Sequence, residues 1–150
     1  MKCRKGYAAE RLLEELVDSG VYQIAFCLKR SVRRRVGALG ELEFAAGLWV
    51  YTGSARRALR KRVARHMSRK KTKRWHIDYL LGPGEVVAAR AFGCGEVGEC
   101  AAHGELAAVF EEGPRGFGSS DCSCRSHLVH VGEKGLLPEG FLSILHLRSD

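Results

Sequence analysis

Arg62 and His66 lie four positions apart in the stretch VYTGSARRALRKRVARH, residues 50–66. On a helix that spacing puts two side chains on one face. Leu59, Val63 and Met67, joined by Ala55 and Ala58, form the apolar line of such a helix, and Arg62 and His66 sit beside it, partly shielded. A guanidinium held there offers a planar fork of donors to a phosphate and strengthens as charge develops in phosphoryl transfer. The neighbouring imidazole can pass a proton or hydrogen-bond the phosphate. The alternative is that Arg62 runs its stem along the core edge and His66 completes a packed contact.

Two more polar groupings follow. In KKTKRWHIDYLLG, His76 and Asp78 are two apart and cannot share a helical face, so a short turn or strand must bring them together around a phosphate or metal; otherwise they are a surface His and a capping Asp. In GFGSSDCSCRSHL, Gly116 and Gly118 permit a tight bend, and Asp121, Cys122, Cys124 and His127 put four potential ligands into seven residues. Zinc takes sulfur and imidazole tetrahedrally, but structural sites commonly separate two cysteines by at least two residues. Structural Zn2+, completed by Cys94 or Cys100, therefore stands as the alternative to a hydrogen-bonded loop.

These groups need elements to position them. The pattern predicts an amphipathic helix over 8–18, a strand in VYQIAFCL, a second strand and turn in SVRRRVGALG and a third strand in LWVYT. Strands joined this closely favour an antiparallel hairpin or meander, because parallel crossovers need a dozen or more residues. Gly53 and Ser54 then break the strand, with Ser54 as cap of a helix starting near Ala55. VVAARAF reads as another strand, 99–112 as a second main helix, and HLVHV and FLSILHL as late strands.

The charge is lopsided. Residues 1–75 carry 20 Lys and Arg against 6 acids, whereas residues 76–150 carry 5 against 11, and no acid lies between Glu43 and Asp78. Eleven cations fall within the 19 residues from Arg56 to Arg74. Such a field suits a phosphate backbone, attracted at long range and tethered by counterion release. The bland alternative is a solvated face or an anion-rich partner. A membrane surface is disfavoured because the aromatic anchors beside such a helix are sparse. With 150 residues, 45% of them hydrophobic, one domain with one modest core is expected. No apolar run approaches a membrane span and the N-terminus lacks an apolar signal core, so the expectation is a cytoplasmic chain whose six cysteines remain thiols.

In order along the chain, GVY at Gly20 to Tyr22, YTG at Tyr51 to Gly53 and the Arg62-x-x-x-His66 helix resemble the motifs of GIY-YIG nucleases. VGALG at 36–40, YTGSA, WHIDYLL and GFGSSDCSCRSHL resemble a compact archaeal and bacterial branch of that superfamily, sometimes fused to a DNA-repair glycosylase. The resemblance runs from about Gly20 to at least His130. Thr52 replaces the usual Ile or Val, Arg62 lies one position further from Tyr51 than is common, and the late Asn of many members has no match.

This resemblance implies an α/β fold of the α+β type: a three-stranded antiparallel central sheet flanked by helices, with additional short C-terminal strands. Residues 1–19 would form a helical extension and 20–150 a single nuclease domain. It also implies cleavage of DNA phosphodiester bonds, possible substrates being structured or damaged DNA, with RNA as the other partner and one Mg2+ or Mn2+ as cofactor. Tyr22 and Tyr51 would share the site, one of them activating water. A tyrosine of ordinary pKa, about 10, needs a nearby metal, Arg or Lys to favour phenolate. Arg62 would stabilise the charged transition state and His66 assist proton transfer. Glu99 is the implied metal ligand, with Glu105 or Asp78 as alternatives. Arg56, Arg57, Arg60, Lys61, Arg65, Lys70, Lys71 and Arg74 would track the backbone, while His76, Asp78, Ser120, Asp121, Cys122, Cys124 and His127 support the site. The competing class is a nucleic-acid-binding domain that retains the fold without turnover.

Overall fold

The computed structural model describes residues 11–68, 72–82, 84–133 and 135–143. Strands run over Gly20–Leu28 (β1), Val32–Arg35 (β2), Glu41–Phe44 (β3), Gly47–Ala55 (β4), Glu85–Phe92 (β5), Glu111–Glu112 (β6), Leu128–Gly132 (β7) and Leu142–Ser143 (β8). Helices cover Leu59–Met67 (α1) and Glu99–Ala107 (α2), and residues 11–15 are also helical. One six-stranded antiparallel sheet has the order β6-β7-β4-β1-β5-β8, and β2 and β3 form a separate hairpin.

The α+β character agrees with expectation, but the three-stranded central sheet does not. The segment read as its second strand and turn, SVRRRVGALG, instead supplies a strand that pairs with Glu41–Phe44 outside the main sheet. Arg33, Arg34 and Arg35 are all exposed there, and three consecutive cations cannot lie between two packed strands. Their place beside β1 is taken by β5, whose Ala88 and Ala89 are buried against it. The strand read in HLVHV joins the same sheet as β7, against β4. The second main helix also ends earlier than expected, at Ala107, because Glu111–Glu112 leaves it to pair with β7.

β1 is the centre of the sheet, hydrogen-bonded to β4 on one side and β5 on the other. Its alternation separates two cores. Tyr22, Ile24, Phe26 and Leu28 face a large cluster with Leu12, Leu16, α1 residues Leu59 and Val63, Ile77, Leu80 and Phe117. Ala25 faces a smaller cluster with Val50, Ala88, Leu106 of α2 and Val129. Gln23, fully buried on that second face, donates to Thr52 Oγ1 and the Ala102 carbonyl and accepts from Arg90, so a polar side chain at the sheet centre is satisfied by α2 and β5. Phe117 sits edge-on to Phe44 and Tyr51, with ring centroids 5.8 and 6.4 Å away, and anchors the loop that follows β6. Burying such a ring contributes about 2–3 kcal/mol.

At the start of β1, Gly20 has φ +122°, and a Cβ there would collide with the Phe92 carbonyl oxygen of the neighbouring strand. Gly20→Ala should therefore lower stability by ~3 kcal/mol in chemical denaturation, through both backbone strain and displacement of β5.

Candidate functional site

The site lies where β1 and β4 end against α1. Tyr22 pairs with Gly53 across the two strands and Tyr51 with Ile24, so both tyrosines project from the same face, rings 6.4 Å apart. A Cβ on Gly53 would stand 2.5 Å from Tyr22 Oη. The glycine of YTG is thus required because the Tyr22 ring folds across it. Gly118 serves Tyr51 likewise: its φ is +69°, and a Cβ would approach the ring to 2.8 Å.

α1 does not begin near Ala55, and Ser54 does not cap it. The β1–β4 ladder continues to Ala55, which keeps the backbone extended. The helix starts at Leu59 after Ala58, which is left-handed (φ 53°), and its first amides are capped from afar: Leu59 N–H donates to the Asp18 carbonyl and Arg60 N–H to Asp18 Oδ1, each at 3.0 Å. Arg56 and Arg57 consequently occupy an exposed bend, not the helix.

Arg62 and His66 do reach one site from α1. His66 is buried, with Nε2 2.8 Å from Tyr22 Oη and Nδ1 3.9 Å from Asp78 Oδ1. The nearby carboxylate favours the proton on Nδ1, leaving Nε2 to accept from the tyrosine hydroxyl. Arg62 donates to the Ser54 carbonyl at 2.6 Å and lies 5.0 Å over the Trp75 ring. Burial pushes the Tyr22 pKa well above 10.0, the neighbouring Tyr51 adding to it and Arg62 opposing; burial, followed by the charges of Glu99 and Asp78, likewise raises Tyr51. Both phenols are therefore held protonated.

Asp78 serves the scaffold. It is buried and accepts Arg65 Nη1 and Nη2 at 2.9 and 3.0 Å, together with the Arg74 and Trp75 amides at 2.8 and 2.9 Å. Burial pushes its pKa up, but the Arg65 and amide hydrogen bonds prevail and hold it below 3.8. Asp78, considered as an alternative metal ligand, is buried behind the cleft and is not among the residues that line it. Arg65 is likewise drawn away from the backbone-tracking role: besides Asp78 it donates to the Thr72 carbonyl and stacks 4.4 Å from Trp75. Arg56, Arg57, Arg60, Lys61 and Arg74 remain exposed, although Arg60 Nε also donates to the Leu16 carbonyl. Lys70 and Lys71 lie outside the described residues.

Glu99, at the first position of α2, lines the same cleft of about 270 Å3 as Tyr22, Tyr51, Arg62, Trp75 and His76. Ser54 Oγ donates to Glu99 Oε2 at 2.8 Å, and His127 Nδ1 lies 3.0 Å from Oε1. Burial pushes the Glu99 pKa up, but the His127 and Ser54 hydrogen bonds and the charges of His127 and Arg62 lower it on balance. Glu105 is exposed further along α2, does not line the cleft and acts electrostatically on Arg90. Ser120 and Asp121 line the rim, and His76 Nδ1 accepts the Gly118 amide at 2.9 Å, burial lowering its pKa.

Beyond Glu99, Cys100, Cys122, Cys124 and His127 form a cluster that could hold a metal ion, with ligand atoms all within 4.8 Å of one another. Three thiols and an imidazole suit Zn2+ rather than Mg2+ or Mn2+. Asp121 and Cys94 are not in this cluster. The model of the family described as a domain of unknown function, DUF123, matches residues 21–146, spanning both the cleft and the cluster. The chain belongs to the DUF123 family. No curated protein and no solved structure matches it. Among the described residues of this DUF123 chain, no helix is long and apolar enough to cross a membrane.

Sequence reasoning missed Ser54 as a partner of Glu99, the Asp18 cap, and Trp75 as the platform for Arg62 and Arg65. Strand alternation does put Ser54 on the face opposite Tyr51, towards α2, which is the signal that could have found the first.

Two outcomes follow from this DUF123 site. Asp78→Asn should cost ~3 kcal/mol at pH 7, since it leaves Arg65 without its buried partner. Because the folded-state pKa is depressed, the wild-type advantage is present above 3.8, shrinks as pH falls and vanishes below the folded value, so denaturation curves of the two proteins should converge in acid. Gly53→Ala should cost about 1–3 kcal/mol by overpacking and shift the His66 imidazole resonances as Tyr22 is displaced.

Proposed function

We propose that this DUF123 domain is a metal-dependent endonuclease that hydrolyses phosphodiester bonds in DNA. The observation that carries the reading is the convergence of Tyr22, Tyr51, Arg62 and Glu99 on one polar cleft, with His66 hydrogen-bonded to Tyr22 behind it and exposed cations nearby on α1 and the bend before it. The order of the motifs, similar to that of GIY-YIG nucleases, supports the same class.

The exposed cations would hold the phosphate backbone without reading base sequence. Arg62, kept in place by Ser54 and Trp75, presents its charge to the scissile phosphate and stabilises the negative charge gathering on its oxygens. Tyr22 is too strongly protonated to serve as a standing phenolate. It acts instead as a relay, accepting a proton from the attacking water while its own moves to His66 Nε2. Asp78, 3.9 Å from Nδ1, stabilises the imidazolium so formed. Tyr51 orders the water from the other side of the cleft.

Glu99 is the residue that would hold Mg2+ or Mn2+. The Ser54 and His127 hydrogen bonds occupy one lone pair on each carboxylate oxygen and orient the group, leaving others for an ion, and a single carboxylate with waters suffices for Mg2+. When bound, the ion supplies charge neutralisation at the phosphate and leaving oxygen.

Labelled linear, nicked, flapped and four-way DNA, together with RNA, offered to the purified chain with Mg2+ or Mn2+ test this reading. Cleavage should fall by roughly 10²–10³-fold in folded Arg62→Ala and Glu99→Gln proteins and decline in Tyr51→Phe, with binding largely kept. Binding without cutting under either metal would instead identify a nucleic-acid-binding module, and cutting unchanged by these substitutions would place the activity elsewhere.

A further inference from the structure

Cys100 enters the Cys/His cluster from the first turn of α2, whereas Cys122, Cys124 and His127 come from the loop between β6 and β7. A tetrahedral zinc site with Zn–S near 2.3 Å and Zn–N near 2.0–2.1 Å has sulfur–nitrogen edges of about 3.6 Å and sulfur–sulfur edges of about 3.8 Å. His127 Nε2 lies 3.5 Å from Cys122 Sγ and 3.8 Å from Cys100 Sγ. Two of the six edges thus already have tetrahedral length, and all four ligand atoms lie within 4.8 Å of one another. Four protein ligands would close the coordination sphere, as in structural sites.

The other ring nitrogen gives this cluster a reach into the cleft. With Nε2 on the metal, Nδ1 carries the proton and donates to Glu99 Oε1 at 3.0 Å, the imidazole itself being buried. A carboxylate on the free nitrogen of a ligating histidine is the usual outer-shell arrangement, and it fixes both ring and carboxylate. Here that carboxylate also accepts Ser54 from the end of β4.

We propose that Cys100, Cys122, Cys124 and His127 bind one structural Zn2+, and that this ion, through His127, holds Glu99 in its place in the cleft. His127 is a positioning residue, acting on the cleft only through Glu99. Zinc joins α2 to the loop whose Phe117 and Gly118 pack against Tyr51, so two walls of the cleft are tied at one point. The zinc site itself does not depend on the nuclease reading; the part concerning Glu99 deepens it.

The full chain, purified without added zinc, should carry one Zn2+ per molecule by elemental analysis. Co2+ added to metal-stripped protein should give tetrahedral ligand-field bands and the charge-transfer absorption of three thiolates. Cys124→Ser should lose that spectrum, and should it fail to fold, the wild-type Co2+ titration still decides. Mn2+ binding, followed by electron paramagnetic resonance, should weaken about ten-fold or more when zinc is removed, and His127→Gln should weaken it likewise. Absence of both zinc and a cobalt–thiolate band, or a disulfide within the cluster, would overturn the site. Zinc present with Mn2+ affinity indifferent to its removal would overturn the link to Glu99. A zinc-loaded chain that cuts no substrate would count against the nuclease reading and leave the zinc site standing.

Discussion

The crossing of Tyr22 over Gly53 is the contact on which the rest of the site depends. Only a residue without a side chain admits the ring there, and only the β1–β4 register puts the two opposite each other. Once the ring lies flat across the strand, its hydroxyl reaches α1 and meets His66. The same register sets Tyr51 two residues away on the same face, and Ser54 on the other face, next to α2. A site drawing on both sides of a sheet is therefore assembled at the strand ends, where the two faces come within reach of each other.

Electrostatics follow a similar economy. Just beyond the cationic half of the chain stands Asp78, the one buried acid among the described residues, and it organises its surroundings. By accepting both arms of Arg65 and two successive amides, it fixes the turn bearing Trp75, and Trp75 in turn supports Arg62. One guanidinium is thereby consumed in architecture so that its neighbour on the helix is left oriented. Glu99 occupies the complementary position, at the border between this cationic ground and the sulfur cluster.

What was legible in the sequence was what local period determines. Arg62 and His66, four apart, do share one side of α1, and VVAARAF does form a strand. Sheet order was not read correctly, because β1 pairs with β5 across more than fifty intervening residues, and the one local sign against the nearer segment was its run of three arginines. The start of α1 was misplaced for a related reason: its cap is Asp18, a long-range partner, whereas Ser54 looks like a cap only when neighbours in the chain are considered. Among the metal candidates, Glu99, Glu105 and Asp78 differ little as letters. Their separation comes from hydrogen bonds supplied by His127, Ser54, Arg65 and two backbone amides, none of which spacing alone reveals.

The Asp18 cap also bears on where the folding unit begins. The family match starts at residue 21, yet the first two amides of α1 take their acceptors from residue 18, and Leu12 and Leu16 fill the core beneath that helix. A boundary drawn by similarity would cut through the contacts that start the helix carrying Arg62 and His66. The cooperative unit is thus longer than the recognisable one, and the N-terminal segment is a structural part of the site it never touches.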